Sequence, residues 1–198
     1  MAQRSEKTIK VCLTNRGADS ETPWAIDLGA APGRTGKSGG RKVKLVNVPF
    51  LHAKPTWGDV IVVSPVEHGL PTWDREGVAW KDIGSRITED GGRWAMIVDY
   101  TPHPGDATGD AAYKALARAC EAADIVCEGA WGPGKQPGRT YLAVRNARTA
   151  AQIMATLREA ELPCELIQVH PAPVAAKKAS GVRRPASAGK QKKTTKAK

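Results

Sequence analysis

The chain has 198 residues, 41% of them apolar, with 30 Lys+Arg against 20 Asp+Glu for a formal net charge of +10. That length suits one ordinary domain or two small ones and is short for an elaborated barrel enzyme. No apolar run reaches the roughly eighteen residues that a membrane span needs, and the start, MAQRSEKTIKVCL, holds no apolar signal core, so neither a span nor secretion by that route is expected.

The charge is segregated. Residues 171–198 carry nine basic residues and no acid, which leaves 21 basic and 20 acidic groups in residues 1–170, a net of +1. Four cysteines (Cys12, Cys120, Cys127, Cys164) are never spaced as a CxxC pair. Buried thiols in a reducing cytoplasm are the expectation, with no metal and no cofactor.

Along the chain, Ile9, Val11 and Leu13 alternate as a strand, and Trp24 to Leu28 reads as a second short one. A Gly/Lys-rich loop occupies 29–42. Alternation returns from Arg41 to Val48 and stops at Pro49. Val60 to Val63 is the most apolar strand of this half, while the segment around Gly77 to Ile83 has no decided pattern. Short strands, Gly/Pro turns and no convincing helix predict a small curved β domain at 8–90.

The second half has another rhythm. Arg93 to Tyr100 reads as a strand. Asp110 or Thr108 then caps a helix whose apolar face is Tyr113, Leu116, Ala117 and Cys120. Strands at Ile125 to Ala130 and Thr140 to Arg145 flank a Gly/Pro connection at 132–138. Asn146 caps a second helix with Ala150, Ile153, Met154 and Leu157 inward, and Cys164 to Val169 is the last strand. The order β-α-β-β-α-β predicts a ferredoxin-like domain at 91–170. The expected fold class is therefore α+β: a small curved β domain, a ferredoxin-like (βαββαβ) domain and a disordered Lys-rich tail at 171–198.

Several constellations carry chemistry. Ala31-Pro-Gly-Arg-Thr-Gly-Lys-Ser38 nearly matches a phosphate-binding loop, but Ala31 replaces the first glycine, and Gly39-Gly40 and a strand follow where a helix is required. Nucleotide hydrolysis is disfavoured on that ground. Residues 28–58 carry Arg34, Lys37, Arg41, Lys42, Lys44 and Lys54 without an acid, whereas 59–130 hold thirteen acids against six bases. Such a dipolar body attracts an anion on one side. Six tryptophans stand beside one Phe and three Tyr, and their commonest use is packing. Trp57-Gly58-Asp59 is more pointed: Gly58 permits a tight turn or a close backbone approach, and Asp59 can accept turn hydrogen bonds. His103, in a Pro/Gly loop, could join Asp99, Tyr100 and Asp106 as acid and base, but no nucleophile accompanies them. In the tail, Lys177, Lys178, Arg183, Arg184, Lys190, Lys192, Lys193, Lys196 and Lys198 suit nonspecific phosphate contact.

Three segments, Glu21-Thr-Pro-Trp24-Ala25, Asn47-Val-Pro-Phe50 and Trp57-Gly-Asp59-Val60, give the chain a resemblance to the bacterial family called domain of unknown function 4265 (DUF4265). The likeness is strongest over about residues 8–100 and departs at the Gly/Lys-rich loop, the tail and Ser85 to Gly92. It implies a soluble, bacterial, cytoplasmic protein and no particular reaction.

The leading expectation is a non-enzymatic binding or accessory protein. Its tail contacts DNA or RNA, with Arg34, Lys37, Arg41, Lys42 and Lys44 as a second patch, in the cytoplasm and at the nucleoid. The alternative is a small-molecule-binding or catalytic protein that uses a cleft between its domains, with Trp24, Asn47, Trp57, Asp59 and His103 as first candidates. A third reading is a protein–protein or immunity-type partner.

Overall fold

Val11 and Leu13, Val43 and Leu45, and Ile61 and Val63 are alternate positions of three strand segments, and all six side chains are buried in one core with Ala25. The computed structural model describes residues 7–14, 20–31, 40–66, 78–130, 138–145 and 148–172. In it these segments are strands of a closed barrel. In chain order the strands of this half are β1 (Thr8–Thr14), the two-residue β2 (Ser20–Glu21), β3 (Trp24–Ala30), β4 (Arg41–Leu45), β5 (Val60–Pro65) and β6 (Val78–Glu89). Strands β1, β3, β4, β5 and β6 pair antiparallel in succession, and β6 returns to lie parallel to β1, with Val11 opposite Trp80. The twelve residues of β6 bend at two irregularities in the ladder with β5, which lets one strand serve both neighbours. Strand β2 extends the barrel as a short arm on β1.

The second sheet has the order β10-β7-β9-β8, formed by β7 (Arg93–Pro102), β8 (Val126–Ala130), β9 (Gly138–Arg145) and β10 (Cys164–Pro171), all antiparallel. Helices α1 (Asp110–Ala122) and α2 (Ala150–Arg158) share one core with Met96, Val98 and Tyr100 of β7 and Leu142 and Val144 of β9. Buried positions on the helices are Ala112, Leu116 and Cys120, then Ile153 and Leu157. Helix α1 has Gly109 at its N-cap, without a side-chain cap on that residue; the Asp106 carboxylate accepts the Ala112 N–H at 2.8 Å, and of the two expected caps Thr108 accepts the Asp110 N–H at a long 3.4 Å. Helix α2 is capped by Thr149, whose hydroxyl accepts the Gln152 N–H while Gln152 accepts the Thr149 N–H. The expected cap, Asn146, lies outside the described residues.

The face of this sheet turned away from the helices is also covered. The connection from β4 to β5, residues 46–59, leaves the barrel and lays Val48, Ala53 and Trp57 against Ala95, Ile97 and Ala143. The Ala95 N–H donates to the Ala53 carbonyl at 3.1 Å and the Ala172 N–H to the Ala95 carbonyl at 3.0 Å.

The expected fold class is corrected by this architecture. The chain is mostly β, with ten strands and two helices among the described residues, and its first half closes as a five-stranded barrel. It is not an α+β protein of the ferredoxin-like class beside a small curved unit. The physical reason lies in β6 and in the 46–59 connection. A twelve-residue strand reaches back to close the ring, and the irregular 46–59 connection occupies the sheet face opposite the helices. The predicted tail at 171–198 lies outside the described residues beyond Ala172.

Candidate functional site

Glu21, the last residue of β2, organises the corner where the 46–59 connection meets the barrel. Its carboxylate accepts the N–H groups of Phe50 at 2.6 Å and Leu51 at 3.1 Å and pairs with Nδ1 of His52. The His52 ring is fully buried. Three consecutive residues are thus gathered by one side chain, an arrangement that a carboxylate with several acceptor positions can support. Asn47 performs the complementary task. Its Oδ1 accepts the Trp24 N–H at 2.7 Å and its Nδ2 donates to Glu128 at 3.0 Å, so one amide joins β3 of the barrel to β8 of the second sheet.

Glu128 and Tyr141 are directly opposite on β8 and β9. Phe50 stacks on Tyr141 with ring centroids 4.4 Å apart and an interplanar angle of 28°. Together these contacts enclose a cleft of about 450 Å³ between barrel and sheet. One wall is the segment Ser20 to Trp24, another is Asn47 to Leu51, and the floor is Glu128 and Tyr141. Trp24 and Phe50 stay 45% and 39% exposed, which is why this corner can still receive something. Burial pushes the Glu128 carboxyl above its ordinary range, against the pull of hydrogen bonds from Asn47 and the Val48 N–H. None of the described lining residues is basic. The Lys10 ammonium stands 5.5 Å from the centre of the Trp24 ring.

Of the candidates for a cleft, Trp24 and Asn47 meet here and Trp57, Gly58, Asp59 and His103 do not. Asp59 is fully buried and accepts the N–H of Thr56 at 2.8 Å and of Gly91 at 2.7 Å, with the Lys54 ammonium at 3.1 Å. Gly58 has φ +86°, and a Cβ on Gly91 would stand 2.7 Å from the Gly58 carbonyl carbon. Trp-Gly-Asp therefore locks the end of the connection to the turn between β6 and β7. Trp57 also receives the Arg93 guanidinium at 5.3 Å, while Arg93 donates to the backbone of Asp124 and Ala143 and to the Asp124 carboxylate. His103 sits exposed beyond the end of β7, its N–H bonded to the Pro163 carbonyl.

The basic stretch is differently placed. Arg41 pairs with Asp27 at 2.6 Å, Lys42 with Glu89 at 3.0 Å, and Lys54 with Asp59 and Asp90; the Lys44 side chain is exposed. Burial opposes ionisation of Asp27, but the Arg41 guanidinium and the Gly29 N–H outweigh it and hold its carboxyl low. The Lys54 ammonium does the same for Asp90. Arg34, Lys37 and all nine basic tail residues lie outside the described residues.

A second polar cluster stands on the same sheet face. Asp99 accepts two hydrogen bonds from Arg139, at 2.6 and 3.0 Å, and one from Gln168 at 3.0 Å, with His170 at 3.3 Å. The Arg139 guanidinium outweighs the burial and holds the Asp99 carboxyl at about 2.

Sequence reasoning missed Glu128 and Tyr141 as site residues. Neither belongs to a motif, and only the β8–β9 register places them side by side. Glu21 and Phe50 had a signal, since they stand in the segments Glu21–Ala25 and Asn47–Phe50 that now line one cleft. Among the described residues no helix is long and apolar enough to cross a membrane. No family model, curated protein or solved structure matches the chain, so the resemblance to DUF4265 rests on the quoted segments alone.

Proposed function

We propose that the protein is a ligand-binding protein whose site is the cleft between the barrel and the second sheet. The observation that supports this reading is the cleft itself. It has a volume of about 450 Å³, within the range of small-molecule sites, and carries three aromatic rings, a half-buried carboxylate and a side-chain amide at its walls. The site depends on both halves of the chain, because Ser20 to Trp24 and Asn47 to Leu51 form its walls, Glu128 and Tyr141 form its floor, and Asn47 bonds to Glu128 across the junction. Binding rather than turnover is proposed, since both carboxylates of the cleft already accept hydrogen bonds from the chain.

A fragment screen observed through the Trp24 indole N–H tests the reading. Fragments that move this signal, and lose their effect when Tyr141 is changed to Ala, are expected. A screen in which no fragment moves it, or in which Tyr141→Ala leaves every response unchanged, refutes the site.

The tail supports a second, independent reading: nine cations without an acid in 28 residues suit nonspecific contact with DNA or RNA. Affinity for duplex or single-stranded nucleic acid should fall steeply with salt in the full chain. It should collapse when the nine tail cations are replaced by glutamine.

A further inference from the structure

The walls of the cleft also speak to the charge of what enters it. Glu21 spends its acceptor positions on Phe50, Leu51 and His52, so it contributes negative potential more than a free lone pair. Glu128 is different. It is held by Asn47 from one side and by the Val48 N–H, yet it still lines the cleft floor beside Tyr141. A half-buried carboxylate loses part of its hydration, and a positive group placed against it restores that loss. The faces of Trp24, Phe50 and Tyr141 carry the negative side of their ring quadrupoles and attract cations as well. Trp24 already shows this preference, with the Lys10 ammonium 5.5 Å from its ring centre. An anion meets two carboxylates and no base among the described lining residues, which disfavours phosphate or carboxylate ligands.

Resting on the reading of this cleft as a ligand site, we infer that its ligand is a small organic cation: an ammonium group carried on a flat apolar body. The body lies against Trp24 and Tyr141, and the ammonium donates to Glu128. The Phe50–Tyr141 stack keeps the floor flat, and Asn47 holds the carboxylate in place as a positioning residue. A site of this kind has no use for the tail, so the two binding activities are separable.

Three probes of similar size and different charge test the inference on the full chain: benzylammonium, benzyl alcohol and benzoate, each titrated against the Trp24 indole N–H signal. Benzylammonium should bind about tenfold more tightly than benzyl alcohol, the order expected for one partly desolvated charge pair with aromatic support, and benzoate most weakly. In Glu128→Gln the advantage of benzylammonium over benzyl alcohol should shrink to about twofold or less. Should that variant fail to fold, the wild-type protein provides the same contrast, because raising salt from about 0.05 to 0.5 M should reduce the benzylammonium advantage and leave benzyl alcohol unchanged. Equal binding of all three probes, or tighter binding of benzoate, overturns the cation preference while leaving the cleft as a site. If none of the three moves the Trp24 signal, the cleft reading and the inference fall together.

Discussion

Asp59 shows how far a single side chain can commit a structure. It is fully buried, and its carboxylate holds two backbone N–H groups and one ammonium. Asp59→Ala should destabilise the protein by roughly 2–4 kcal/mol, because two backbone donors lose their buried acceptor and Lys54 keeps only the exposed Asp90 as counter-charge. Urea unfolding midpoints measure this, and a loss below about 1 kcal/mol would contradict the assignment. Gly91→Ala tests the neighbouring contact. Its Cβ would meet backbone at 2.7 Å, which cannot swing aside as a side chain can, and a cost of about 1–3 kcal/mol is expected. Asp99 tests electrostatics. Its carboxyl is held at about 2, below the ordinary value, so its contribution is present above about pH 4 and is lost as pH falls through 2. Asp99→Asn should therefore cost on the order of 1–2 kcal/mol at pH 6, discounted for the half-exposed Arg139, and the gap from wild type should close only below about pH 2. The Trp-Gly-Asp motif was legible as a turn with an acceptor. Its partner Gly91 was not, because 32 residues separate it from Asp59 and no local pattern links the two.

At the scale of elements, legibility follows how local each signal is. Strands β1 and β4 can be read from their alternation and β5 from its continuous apolar run, as can the helices from their period. Strand β6 cannot, because VAWKDIGSRITE mixes charge and glycine through a strand that bends between two neighbours. With β6 undecided, closure of the barrel was invisible, and the fold class drawn from the sequence was wrong for that reason. The 46–59 connection was equally opaque. Its Pro-rich sequence reads as loop, although it packs like a structural layer on the second sheet. Glu21 is the element's fastening. Glu21→Ala should leave the Phe50 and Leu51 N–H groups without their acceptor and raise their hydrogen-exchange rates by at least about tenfold, a shift near 1.4 kcal/mol in local opening. Unchanged exchange at these two amides would show that the connection is held by its apolar contacts alone.

For the whole molecule, partition of charge is the main result. The net +10 resolves into a nearly neutral body and a +9 tail, and within the body Arg41 and Lys42 are matched by acids across strands and Lys54 by Asp59 of its own connection. Of the cations that a charge count places at residues 28–58, these three are therefore compensated locally, while the Lys44 side chain is exposed. What faces solvent at the junction of the two sheets is instead aromatic and acidic, which separates the cleft from any polyanion bound by the tail. Both halves of the chain contribute to that junction, and neither half shows it alone. A crystal structure of the full chain with benzylammonium tests this most directly. The probe should lie between Trp24 and Tyr141 with its nitrogen about 3 Å from the Glu128 carboxylate. An empty cleft with the probe elsewhere, such as between α1 and the turn after α2, would contradict it.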